Sequence, residues 1–160
     1  MGSRISVNIG EQRFDRLIEG NKFYVDKTGF IREWWENGST VTLITRPRRF
    51  GKTLNMSMME CFFSNKYAGR SDLFEGLSVW REKKFRELQG AFPVIFMSFA
   101  GVKTGDAGEM KTAVKHVIAK AYDAYSDIME ADIFSDRNRA EFAEVSKNMD
   151  DVTAFTAMNS

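Results

Sequence analysis

The chain has 160 residues, 43% of them apolar and 28% charged, with a formal net charge of +1. That length and apolar content suffice for one domain with a sizeable core, and near-neutrality excludes a molecule that gathers polyanions by overall charge. The single cysteine, Cys61, excludes an intrachain disulfide. No cleavable leader pattern and no apolar run of about 18 residues is present, so neither secretion nor membrane spanning is expected. The expected setting is the cytoplasm, with Cys61 a reduced, buried thiol.

Ile5 and Val7 alternate with polar residues, as in a short edge strand or an extended arm. Phe14, Leu17 and Ile18 recur at helical spacing, and Gly20 offers a stop. After the short extended Phe23-Tyr24-Val25, Asp26 or Thr28 is placed to cap an amphipathic helix carrying Phe30, Ile31, Trp34 and Trp35. Asn37-Gly38 provides its C-terminal stop.

Val41 to Thr45 is apolar and β-branched, which predicts a strand buried on both faces. It runs into Arg46-Pro47-Arg48-Arg49-Phe50-Gly51-Lys52-Thr53, and a predicted helix from Leu54 to Phe63 follows with almost no polar face. Strand, tight loop ending Gly-Lys-Thr, then helix is the setting of a phosphate-binding P-loop. The first amides of a helix lack intrahelical partners and sit at the positive end of its dipole. A loop that turns them inward makes an anion nest. Gly51 permits close approach or a positive φ. Lys52 would place an ammonium on the outer phosphates, and the Thr53 hydroxyl would ligate Mg²⁺. The amides of Arg49 and Phe50 would complete the cradle, and Arg46, Arg48 and Arg49 would neutralise phosphate charge. Two features depart from G-x-x-x-x-G-K-[ST]: Arg46 stands where the first glycine falls, and Pro47 removes one amide donor. The same residues admit two other readings, an arginine clamp with Phe50 stacking on a nucleic-acid base, and a cationic turn that binds nothing.

Leu73, Phe74, Leu77, Val79 and Trp80 form an apolar patch, and Arg81 to Leu88 reads as a short charged helix closed by Gly90. Pro93 to Phe99 is a second predicted strand, with proline at its start. From about Ala107 to Met129 the longest helix is predicted, with Val114, Val117, Ile118, Ala121, Tyr122, Tyr125 and Ile128 on one face. His116 lies opposite that face. Residues 136 to 148 are polar, with Phe142 and Val145 a weak helical stripe.

Arg46-Pro47-Arg48-Arg49-Phe50-Gly51-Lys52-Thr53 resembles the "RPRRFGKS" loop of the bacterial AAA-ATPase-like family. Phe23-Tyr24-Val25-Asp26-Lys27-Thr28 resembles its "YVDKT" segment, and Leu73-Phe74-Glu75-Gly76-Leu77 its "LFxGL" segment. Phe92-Pro93-Val94-Ile95 is similar to the start of its next strand. The four stretches agree in order over about residues 8 to 125, and arginine at position 46 is usual in that family. The resemblance implies ATP and Mg²⁺ as ligands. It also opens two readings of Asp26 and Lys27: a segment near the nucleotide, with Phe23 or Tyr24 covering the base, or a helix cap beside a solvated lysine.

An ATPase also needs an apolar strand ending in an acidic residue that orients Mg²⁺. Pro93–Phe99 runs instead into Ala100-Gly101-Val102-Lys103, Glu130 follows a helix end, and Asp150-Asp151 follows no strand. The resemblance implies that the acidic strand and a PD-(D/E)XK nuclease-like region lie beyond Ser160. The expected fold is therefore α/β, P-loop NTPase-like and helix-rich, with an incomplete parallel sheet. It would form one partial domain over residues 1–160: a helical lead-in at 1–40, a P-loop core at 41–130 and a helical tail at 131–160. The expected function is nucleotide binding through Arg46, Arg48, Arg49, Phe50, Gly51, Lys52 and Thr53, with hydrolysis weak or absent, no nuclease activity and catalytic residues unassigned. The two candidate strands would either pair directly or leave apolar edges exposed for self-association or for the missing C-terminal portion.

Overall fold

A computed structural model of the chain describes residues 10–126 and 134–147. The Ile5–Val7 arm and the residues after Lys147 lie outside them, and the long helix expected to run to Met129 ends at Asp123. The chain divides into two compact units, Met1–Val94 and Ile95–Ser160.

The first unit is built from α1 (Phe14–Glu19), α2 (Gly29–Asn37), α3 (Lys52–Phe63) and α4 (Lys83–Arg86), with three single 3₁₀ turns between α3 and α4. α1 stops at Gly20, and α2 stops at Gly38 in the left-handed conformation, as the turn residues foretell. The core gathers on α3. Met58, Cys61, Phe62 and Phe63 pack with Phe14, Ile31, Leu73, Phe74, Val79 and Phe85, all buried. Phe74 is its hub: it stacks on Phe14 at 5.1 Å and meets Phe62 edge-on at 5.0 Å. Each such ring removes enough apolar area from water to stabilise the fold by about 2–3 kcal/mol.

Polar groups fix how α1 meets α3. The Phe14 amide, an orphan donor of the first turn of α1, donates to Ser57 Oγ at 3.1 Å. Arg13 bridges Asp15 and Glu60, each at 3.0 Å, and the Tyr67 hydroxyl donates to Asp15 at 2.9 Å. Burial pushes the Glu60 carboxyl above its usual value despite Arg13.

The parallel sheet expected from the sequence is absent: no strand forms among the described residues, where an isolated bridge joins Ser64 and Phe92. Val41–Thr45 is irregular, with Val41 84% and Leu43 82% exposed, where burial on both faces was expected. Val94–Phe99 likewise forms no strand, and Ile95, Met97 and Phe99 are exposed. The physical reason is that β-branched runs fit a pleated surface but do not supply one; a ladder needs a neighbour for its amides and carbonyls. The amides that open the second segment have another partner. Gly90 donates to Phe62 O at 2.8 Å and Phe92 to Phe63 O at 2.9 Å, which satisfies the last carbonyls of α3. So Phe92 closes a helix end instead of starting a strand. α3 also departs from all-round burial, since Thr53 and Met56 are exposed.

In the second unit, α5 (Ala107–Asp123) starts at Asp106, whose carboxylate accepts the Glu109 amide at 2.8 Å. Its apolar face meets α6 (Asp136–Lys147), with Tyr122 and Phe142 rings 5.0 Å apart and Ile118 and Val145 buried. His116 is exposed, as its position predicts.

Candidate functional site

The Arg46–Thr53 loop delivers the chain into α3 through two left-handed residues. Arg49 has φ 71° and Gly51 has φ 73°. Glycine takes that conformation freely, whereas arginine does so at a cost of about 1 kcal/mol or more. Backbone that alternates into the left-handed region points successive amides to one side, the geometry of an anion nest. Gly51 is the N-cap of α3, and no side chain among the described residues caps that helix. Its first-turn amides are therefore left without the usual hydroxyl or carboxylate acceptor.

Beside the loop lies a cleft of about 740 Å³. The loop contributes Arg46, Phe50 and Lys52 to it; α2 and the turn before it contribute Lys27, Phe30 and Glu33; Thr42 to Thr45 form a further wall and Asn55 another. Of the residues singled out from sequence, Lys27, Arg46, Phe50 and Lys52 are brought together here. Arg48, Arg49, Gly51 and Thr53 stand on the loop and first turn without lining the cleft. Arg46, Arg48, Arg49 and Thr53 are exposed, and Phe50 is 57% exposed. The Lys52 ammonium donates to the Arg46 carbonyl, folding the loop onto itself. Phe23 and Tyr24 are not among the cleft-lining residues. Phe23 faces solvent, whereas the Tyr24 ring meets Phe14 edge-on at 5.4 Å and its hydroxyl reaches Met58 Sδ at 3.2 Å.

Lys27, Phe30, Glu33 and Asn55 complete the cleft. The signal for three of them was spacing: Phe30 and Glu33 are i and i+3 on α2, and Asn55 is i+3 from Lys52 on α3, so each pair shares a face. Asn55 Oδ1 is buried and accepts no hydrogen bond. A buried acceptor without a donor is the kind of group a ligand hydroxyl, an amine or metal-bound water satisfies.

Lys27 is held by its neighbours. Asp26 Oδ1 accepts from the Thr28 amide and hydroxyl at 2.8 and 2.6 Å, and Asp26 Oδ2 accepts from the Ser78 amide at 2.7 Å. Thr28 stands at the N-cap of α2 but makes no cap hydrogen bond with its side chain. It is fully buried, and its hydroxyl accepts from the Val79 amide at 3.1 Å. Asp26 and Thr28 thus fasten the turn to the segment at Ser78–Val79 instead of capping the helix. Partial burial raises the Asp26 pKa, but the hydrogen bonds from Thr28 and Ser78 outweigh it and hold the carboxyl below its usual value.

No cluster of His, Cys, Asp or Glu suited to a metal ion occurs among the described residues. No helix among them is long and apolar enough to cross a membrane.

The family model described as Predicted AAA-ATPase matches residues 8–157. A protein of Azotobacter chroococcum mcd 1, described as an uncharacterized protein in the vnfD 5' region, is 34% identical over 117 residues. The match covers 72% of this chain and 21% of that protein, so the chain spans far less than the relative's length. No solved structure matches.

Proposed function

This chain belongs to the predicted AAA-ATPase family, and from that premise we propose that its Arg46–Thr53 loop binds the phosphates of a nucleotide, ATP in the family's terms. The observation that carries the reading is the uncapped start of α3. Gly51 in the left-handed region sets the first-turn amides beside Lys52, with no side chain among the described residues serving as their acceptor. A phosphate is the anion that such an end accommodates, through amide donors and the helix dipole together.

Lys52 would exchange the Arg46 carbonyl for a phosphate oxygen. Arg46 would screen charge at the cleft mouth, with Arg48 and Arg49 on the outer side of the loop. The Thr53 hydroxyl, exposed on the first turn, would take the Mg²⁺ that accompanies the phosphates, and the ion would neutralise charge between them. Glu33 is the one carboxylate lining the cleft, so hydrolysis by this chain is expected to be slow or nil.

Equilibrium binding of labelled ATP, with and without Mg²⁺, tests the reading against a Lys52→Ala variant. Tight binding by the wild type and at least tenfold weaker binding by the variant is expected. Equal binding by both, or none by either, would overturn it.

The exposure of Phe50 beside Arg46, Arg48 and Arg49 favours a second reading, contact with a single-stranded nucleic-acid backbone and stacking on a base. That binding would fall steeply with salt, would not need Mg²⁺ and would not be displaced by ATP.

A further inference from the structure

Lys27 reaches the turn of the loop from a separate segment of the chain. A Cβ built on Gly51 would lie 3.6 Å from Lys27 Nζ, and no other heavy atom outside the neighbouring residues comes within 4 Å of it. The ammonium thus hangs over the one residue whose missing side chain opens the approach to the first turn of α3. It lies in the same cleft as Lys52, Arg46 and the unsatisfied Asn55 Oδ1. Among the described residues it has no ion pair, although Glu33 lines the same cleft. A lysine that merely solvates its charge is free to leave. This one starts from a fastened turn: Asp26 and Thr28 hold its two flanking peptides to Ser78 and Val79 through hydrogen bonds of 2.7–3.1 Å.

We infer that Lys27 is a second phosphate-binding cation, gripping the anion together with Lys52 and the first-turn amides of α3. The inference rests on the nucleotide-phosphate reading above and adds a residue from outside the loop. Its physical basis is charge complementarity. A triphosphate carries several negative charges, and an ammonium that reaches it from outside the loop adds to the charge supplied by Lys52, Arg46 and Mg²⁺. A second ammonium within reach of the same oxygens binds through charge-assisted hydrogen bonds, and its position is set by backbone anchors instead of by a flexible loop.

The test titrates wild type, Lys27→Met, Lys27→Arg and Lys52→Ala with ATP and, separately, with inorganic tripolyphosphate, at one ionic strength. Lys27→Met should weaken both ligands at least tenfold, Lys27→Arg should recover most of the loss, and the melting temperature of the unliganded variants should stay with the wild type because the side chain is exposed. If the wild type binds and Lys27→Met binds both ligands equally well, the second cation is refuted while the loop reading stands. Weakening of ATP but not of tripolyphosphate would also refute it, since that places Lys27 on the nucleoside. If the wild type binds neither ligand, the underlying phosphate reading fails together with it.

Discussion

The Lys52 ammonium and the Arg46 carbonyl are hydrogen-bonded across the loop that separates them, so the free loop already has a cation facing inward. Removing that cation costs the fold little, because the carbonyl it leaves is at the exposed surface and water replaces the bond. Lys52→Ala should therefore change unfolding free energy by no more than about 0.5 kcal/mol. It should weaken ATP by a factor of ten or more, about 1.4 kcal/mol per decade. Urea unfolding beside calorimetric titration separates the two effects; a large loss of stability would show that the lysine is structural.

Gly90 tests how the end of α3 is closed. Its φ is +69°, and a Cβ there would stand 2.5 Å from Ala68 Cα. Left-handed strain and a backbone clash act together, so Gly90→Ala should destabilise by about 2–4 kcal/mol. Gly69→Ala is the control. Its φ is +79° with nothing within 4 Å, and only the conformational cost of about 1 kcal/mol applies. Equal midpoints for the two variants in chemical denaturation would contradict the close approach.

Asp26 predicts an acid limb to stability. Its folded pKa is lowered, so its contribution is complete above the unfolded value of about 3.9 and is lost as pH falls through the lower folded value. Asp26→Asn removes the charge. The stability difference between wild type and variant, on the order of 1 kcal/mol for a partly exposed carboxylate near neutrality, should shrink towards zero as pH falls from about 5 to below 3. A difference that grows on acidification would reverse the sign and refute the anchor. The same variant should weaken ATP if Lys27 is positioned as inferred.

Burial pushes the Cys61 thiol up to about 11, with the Asp15 charge adding to it. At pH 8 only roughly one thiol in a thousand is then thiolate, and the side chain is fully buried. Alkylation of the native protein should be slow and should accelerate with urea in step with unfolding. Prompt labelling at low urea would show that α3 opens locally.

The sequence by itself determined where the main helices lie and where the first two stop. Phe14-Leu17-Ile18, Gly38 after the Trp34-Trp35 helix, the apolar run to Phe63 and the stripe from Val114 to Tyr122 carry periodicity and stop residues that act over a few neighbours. The Gly51-Lys52-Thr53 turn into α3 was legible for the same reason, since loop chemistry and helix start are local. The fate of Val41–Thr45 and Val94–Phe99 was not. Strand formation depends on a partner's amides, which composition cannot supply, and Gly90 and Phe92 were already engaged by the carbonyls of α3. Only the tertiary structure brought Lys27 to Gly51, 24 positions along the chain, because the Asp26–Ser78 contact that holds it joins residues 52 apart. Helices arise from near neighbours and can be read in one pass; a site assembled from distant segments exists only once packing has chosen which of them meet.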